Sequence, residues 1–327
     1  MEELVMLFKG LWKITLLSLL AALASCSKTT ISSPSASPSP STAPTASIST
    51  SSATETLVIG DISDEPAKKI RRYQPLADYL AAQLQNAGFA TVQVKIAPNM
   101  ETMSQWLKSG EVDLYFDSPF PALIVSEQSG AQPILRRWKD GVAEYKTVIF
   151  TLTKNDIKSL NDLQGHLIAF EEPFSTSGYM LPLAHLVKAG LKLVEKPNPV
   201  STVGDDEVGY VFSKDDKNAI QWVLGDRVTA AAVSAPDYLK ISEKVRAQLT
   251  ILAETEALPR HLTLVSTTLS PKQKTAIKTT LLQMDNTETG RAVLKQFEET
   301  KQFDEFPEGA NAGLARMQAL YDLTQKN

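Results

Sequence analysis

Ser175-Thr176-Ser177-Gly178 sets three consecutive hydroxyl side chains directly after an apolar run, Leu167–Phe170, and directly before a stretch with helical spacing. The first N–H groups of a helix have no partner within it, and the positive end of its dipole lies there. Hydroxyl donors beside those amides make a site for a tetrahedral oxyanion with no full positive charge required. Gly178 lets the backbone approach a ligand closely, because no Cβ stands in the way. Plain N-capping is the competing explanation, although it needs only one hydroxyl. Pro182 follows a few residues on, where it removes a donor and predicts a slight kink.

The surrounding elements have to place that loop in a crevice. Residues 56–59 read as a strand that ends in the polar turn 60–64. Tyr73, Leu76, Ala77, Leu80 and Leu84 recur at helical spacing, with Gly88 as the stop. A strand at 92–96, a helix over Met100–Ser109 ended by Gly110, and a strand at 112–116 follow, the last running into Asp117-Ser118-Pro119. The rhythm then restarts with strands at Thr147–Leu152 and Leu167–Phe170, a helix to Ala189 capped by Gly190, a helix at 218–224 and a strand at 228–233. Residues 271–325 read as mostly helical. Strands alternating with helices predict βαβ connections and parallel sheets.

The expected fold is therefore α/β with two lobes. The first comprises 56–148 plus 255–327, the second 149–254, and C-terminal helices close the chain. Crossing strands at Thr147–Leu152 and 262–266 are expected to act as the hinge. Ligands of open α/β sheets bind beyond the carboxyl ends of the strands, which makes the loops at Asp117-Ser118 and Ser175–Gly178 the candidate site. Tyr73 and Tyr145 are kept as candidates to line it, Tyr145 because it precedes an expected crossing strand. Glu171 and Glu172 read as solvated charges at a strand end.

The first residues read as a targeting segment. Lys9 and Lys13 precede an uncharged apolar run, 14–23, too short for a permanent span. It ends at Leu23-Ala24-Ser25-Cys26, which resembles a bacterial lipobox, so residues 1–25 are expected to be a lipoprotein signal and Cys26 its lipidated residue. An ordinary secretory signal with a chance Cys is the alternative. Cys26 is the only cysteine, so no internal disulfide can form. Residues 26–55 are almost all Ser, Thr, Pro and Ala and are expected to be a disordered tether. About 30 residues of that kind span on the order of 30 Å; an O-glycosylated stalk has the same composition.

The chain carries 33 Lys and Arg against 37 Asp and Glu, a net charge of −4, and no basic stripe, which argues against nucleic acid. The three His are scattered without metal-ligand spacing and read as structural or surface residues. No G-x-S-x-G, H-E-x-x-H or Walker motif is present, so an enzyme is disfavoured and no cofactor or metal is expected.

Tyr73-Gln74-Pro75-Leu76-Ala77-Asp78-Tyr79-Leu80, Gly110-Glu111-Val112-Asp113-Leu114, Leu163-Gln164-Gly165 and Ser175-Thr176-Ser177-Gly178-Tyr179-Met180-Leu181-Pro182 occur in this order. With 223–232 they resemble the phosphate/phosphite/phosphonate-binding proteins of ABC importers, across nearly the whole chain after the tether. The resemblance implies a type II periplasmic-binding fold, and phosphonyl oxygens held by Ser175, Thr176, Ser177 and the backbone up to Gly178. It implies a permease with its ATPase as partners, and an extracytoplasmic, lipid-anchored location, periplasmic or at the cell surface. Asp117 stands at a pocket tyrosine of that family, and Asp216, or its neighbour Asp215, where many members carry His. The acidic residues that some members use for a ligand amine fall near Lys217 and Thr229, which weakens the case for an aminoalkylphosphonate.

Two carboxylates beside an anion repel it unless a proton lies between. A phosphoryl group's second ionisation is near pH 6, so Asp117 or Asp216 is expected to accept a hydrogen bond from a protonated oxyanion. A sensor lipoprotein signalling to a membrane receptor is the runner-up, separable by co-purification with a permease or with a kinase. An extracytoplasmic hydrolase comes third.

Overall fold

The computed structural model describes residues 55–325. The expected signal segment, Cys26 and all but the last residue of the expected tether lie outside them. Glu55, expected in the tether, instead opens the first strand, β1 (Glu55–Ile62). It pairs with Phe89 across the ladder, and its amide donates to Gly88 O at 3.0 Å.

From β1 the chain runs through α1 (Pro66–Gln83), β2 (Phe89–Ala97), α2 (Met100–Ser109), β3 (Leu114–Asp117), α3 (Pro119–Ser129) and β4 (Gln132–Arg137). Leu57 and Ile59 of β1 pack against Tyr73, Leu76, Ala77 and Leu80 of α1, so the helical spacing in the sequence is the buried stripe of that helix. On the other side, α2 lies close over Gly60, where a Cβ would come within 2.7 Å of Met103 Cε. Gly110 ends α2 with a φ of 79°, a left-handed cap.

A two-residue strand, β5 (Glu144–Tyr145), leads to β6 (Thr147–Leu152), β7 (Leu167–Phe170), α4 (Leu181–Lys188), β8 (Leu193–Glu195), β9 (Val208–Phe212), α5 (Asp216–Leu224), β10 (Ala230–Ser234), the short helices α6 (Ala235–Lys240) and α7 (Glu243–Arg246), and β11 (Leu249–Glu254). The chain returns through β12 (Leu258–Pro259) and β13 (His261–Val265). It then runs through α8 (Pro271–Gln283), α9 (Glu288–Gln296), β14 (Phe303–Asp304) and α10 (Ala310–Thr324). The three helices from α8 onward are the expected helical end, interrupted once by β14.

Two six-stranded sheets result, ordered β14-β4-β13-β3-β1-β2 and β11-β6-β10-β7-β9-β8, each the centre of one lobe. Parallel pairing of β1 with β2 and β3, and of β7 with β8's neighbour β9 and with β10, is the product of the βαβ connections. The expectation that Thr147–Leu152 and 262–266 cross between the lobes is corrected. Both edges of β6 are taken by β10 and β11, and both edges of β13 by β3 and β4, so each strand belongs wholly to one sheet. The passage between lobes is the antiparallel ribbon of β5 with β12, in which Tyr145 opposes Leu258. Thr147 and Val148, assigned to the first lobe from sequence, pair with Ser234 and Val233 in the second.

Candidate functional site

The carboxyl ends of β1 and β3 from one lobe and of β7, β9 and β10 from the other open on a common cleft of about 650 Å³. Among the residues lining it are Asp117, Ser118, Tyr73, Tyr145, Ser175, Thr176, Ser177 and Asp216, so the structure brings the sequence candidates together. Gly178 lies directly behind them, buried.

Ser175–Gly178 enters a widened helical turn, Thr176–Met180, whose bonds run from Met180 N to Ser175 O and from Leu181 N to Thr176 O. Such i→i+5 turns are uncommon and concentrate at functional sites. The straight helix starts only at Leu181, so Pro182 falls in its first turn, where a missing N–H costs nothing. The three hydroxyls are not equivalent. Ser175 caps the turn by accepting from Gly178 N at 2.9 Å and donates to Glu171 Oε2 at 2.6 Å. Thr176 Oγ1 accepts from Phe120 N at 2.8 Å and donates to Ser118 Oγ at 3.1 Å, both in the first lobe. Ser177 has its carbonyl held by Thr147 Oγ1 at 2.7 Å, and its hydroxyl lies against Tyr145. The amides of Thr176 and Ser177 have no acceptor among the described residues. They are the donors that a bound anion would meet.

The first-lobe wall begins at the start of α3. Pro119 and Pro121 bring no N–H, and the remaining early donor, Phe120 N, is the one bound to Thr176. Asp117 accepts from Tyr115 Oη and, at 2.6 Å, from Ser118 N. Burial, and then the nearby Asp61, push its carboxyl above the usual range. Tyr73 contributes to the cleft, but its ring is core: it packs edge-on to Phe297 at 4.8 Å and is 1 % exposed.

The second-lobe wall is acidic. Burial first, then Glu171 and Asp237, push Asp216 up to about 8. Burial likewise raises Glu171, against the bond from Ser175. Asp237 moves the other way: burial opposes its charge, but Lys240 and Ser234 outweigh it and hold the carboxyl low. At neutral pH Asp216 therefore keeps its proton while Asp237 does not. Glu171, expected to be a solvated strand-end charge, is corrected: it is half-buried in the cleft and oriented by Ser175. Among the described residues no group of His, Cys, Asp or Glu could hold a metal ion.

Four cleft residues had no sequence signal: Lys69, Lys139, Asp237 and Arg260. His261, read as structural or surface, is 6 % exposed and also lines the cleft.

Two α/β lobes with a polar cleft at their strand ends define a type II periplasmic-binding protein. The chain belongs to the family described as ABC transporter, phosphonate, periplasmic substrate-binding protein, whose profile matches residues 59–308. That family consists of substrate-binding components and not enzymes. The chain is 29% identical over 143 residues to the phosphate-import protein PhnD of Mycolicibacterium smegmatis. The matched stretch covers 42% of this chain and 43% of that relative, so less than half of the relative's length is spanned. XAC2383 from Xanthomonas citri bound to chloride ion superposes with a TM-score of 0.77 at 25% identity, covering 83% of this chain and 99% of that one. PhnD1 from Prochlorococcus marinus (MIT 9301) in complex with methylphosphonate shares the fold, with a TM-score of 0.61 at 18% identity over 83% of this chain and 99% of its own.

Proposed function

We propose that this protein captures a small phosphorus oxyanion (a phosphonate, phosphite or phosphate) between its lobes and delivers it to an ABC permease and its ATPase. The observation that carries this reading is the pair of unbonded amides at Thr176 and Ser177, opening on the cleft of a chain in this family. Ser177 Oγ adds a donor. Ser175 acts indirectly, by holding the turn and Glu171. Thr176 and Ser118 join the ligand once their mutual bond opens, and protonated Asp216 donates from the same second-lobe wall. Asp117, Tyr73 and Tyr145 complete the walls.

In this proposal residues 55–146 with 255–325 form one jaw and 147–254 the other, joined through the β5–β12 ribbon, and the jaws close on the ligand by hinge motion. A lipid on Cys26 and the tether after it would keep the folded part at the membrane surface.

A thermal-shift panel of phosphate, phosphite, methylphosphonate, aminoethylphosphonate and sulfate tests the reading. A ligand at a hundred times its dissociation constant adds about 2.7 kcal/mol of stability. No shift with any of the phosphorus anions at millimolar concentration would refute it.

A further inference from the structure

At the hinge end of the cleft, three nitrogen-bearing side chains meet from segments far apart in sequence. After β4 the chain turns through Asp140 and Gly141, whose φ values are 54° and 79°, and Lys139 lines the cleft. Arg260 and His261 arrive from the β12–β13 junction, with His261 opposite Arg137 in the ladder. Their side chains are largely out of water: Lys139 is 21% exposed and Arg260 14%.

Their partners do not match them. The carboxylate of Glu298 serves Arg137 at 3.1 Å, Lys69 at 3.3 Å and Lys139 at 3.5 Å. Asp61 takes Lys69 at 2.8 Å, and Asp140 takes Arg260 at 2.7 Å. Arg72 also reaches Glu298 at 3.7 Å, so five cations, Lys69, Arg72, Arg137, Lys139 and Arg260, pair with three carboxylates, and the ionised Asp237 nearby adds its charge to the side of Arg260. In addition, Nε of Arg260 and Nδ1 of His261 are buried without a hydrogen-bond partner. Buried polar groups are normally paired, and an uncompensated buried charge is costly. Burial, and then the neighbouring cations, hold Lys139 below its ordinary value despite Glu298, and keep His261 neutral.

We infer that this corner is a second anion subsite, so that the ligand carries two anionic groups, one on the Thr176–Ser177 amides and one on Lys139, Arg260 and His261. Tyr145 joins the two subsites. Its hydroxyl lies against Thr176 and Ser177, and the Arg260 guanidinium lies over its ring at 4.6 Å. The second group is a carboxylate or a second phosphoryl group, joined to the phosphorus by a carbon spacer that passes along Tyr145. The inference rests on the proposed function, since it takes the first anion to be a phosphorus oxyanion.

Calorimetry on the full chain in detergent, with methylphosphonate, phosphonoacetate and methylenediphosphonate, tests it. A charge-assisted contact predicts at least one two-anion probe binding about tenfold or more tighter than methylphosphonate. Whichever probe gains identifies the second group. In Lys139→Met the affinity ratio should collapse toward one, and in Lys139→Arg it should persist. Equal wild-type affinities, or a ratio unchanged in Lys139→Met, overturn the second subsite alone. No binding of any of the three overturns the second subsite, and the proposed function falls with it only if phosphate and phosphite also fail to bind. The wild-type comparison decides even if a variant fails to fold.

Discussion

Phe120 N donates to Thr176 Oγ1 at 2.8 Å, and this bond ties the start of a first-lobe helix to the hydroxyl loop of the second lobe. Prolines on either side of Phe120 leave α3 without its usual early donors, so Thr176 occupies the remaining one. The loop expected to cradle an anion thereby also joins the two walls of the cleft.

Thr176→Val keeps the shape and removes the acceptor. Phe120 N is then buried without a partner, at a cost of about 1–3 kcal/mol. The unliganded melting temperature should fall and phosphonate binding should weaken, whereas Thr176→Ser should preserve both. A melting temperature unchanged in the Val variant would show that the bond contributes nothing.

Asp216, at about 8, holds its proton at neutral pH and can donate it to an oxyanion. Affinity should be highest from about pH 5 to about pH 7 and fall by up to about tenfold per unit above 8. Asp216→Asn should flatten that fall. Because the folded state binds the extra proton, Asp216 makes stability decline as pH rises from about 4 to about 8. The melting temperature of Asp216→Asn relative to wild type should therefore climb across that window. A pH-independent affinity in the wild type would remove the proton-sharing idea.

Glu298 is the opposite case. Burial opposes its charge, yet Lys139, Arg137 and Lys69 outweigh it and hold the carboxyl far below the ordinary range. Its contribution is present above about pH 4.5 and is lost as pH falls toward the folded value. Glu298→Gln leaves Arg137, which is 0 % exposed, without a counter-charge. Breaking such a pair costs about 3–5 kcal/mol, or roughly ten degrees in melting temperature at pH 7. The gap to wild type should narrow below about pH 4.5, and an equal gap at every pH would contradict the pairing account.

Gly178→Ala tests the crowding behind the loop. Its Cβ would stand 2.4 Å from Glu171 Cβ and 2.5 Å from Glu171 Oε2, so Glu171 must move and Ser175 loses its acceptor. Oxyanion affinity should drop by about tenfold or more, the equivalent of one lost hydrogen bond to a charged group. Calorimetry that finds unaltered affinity would place Glu171 outside the site.

The α/β alternation, the stripe of α1 and the hydroxyl loop at a helix start were legible in the chain itself, because each depends on residues a few positions apart. The same locality made the family recognisable from short segments in order. Tertiary structure alone decided which charges meet. Glu171, Asp216 and Asp237 come from three different strand ends, and Lys139, more than a hundred residues away in the chain, meets Arg260 and His261 because β4 pairs with β13. Burial and Coulomb interactions sum over neighbours in space, so no spacing rule could assign Asp216 its proton or His261 its place in the cleft. The hinge escaped for a related reason: β5 and β12 are two residues each, too short to carry a period, and only their mutual pairing marks them as strands.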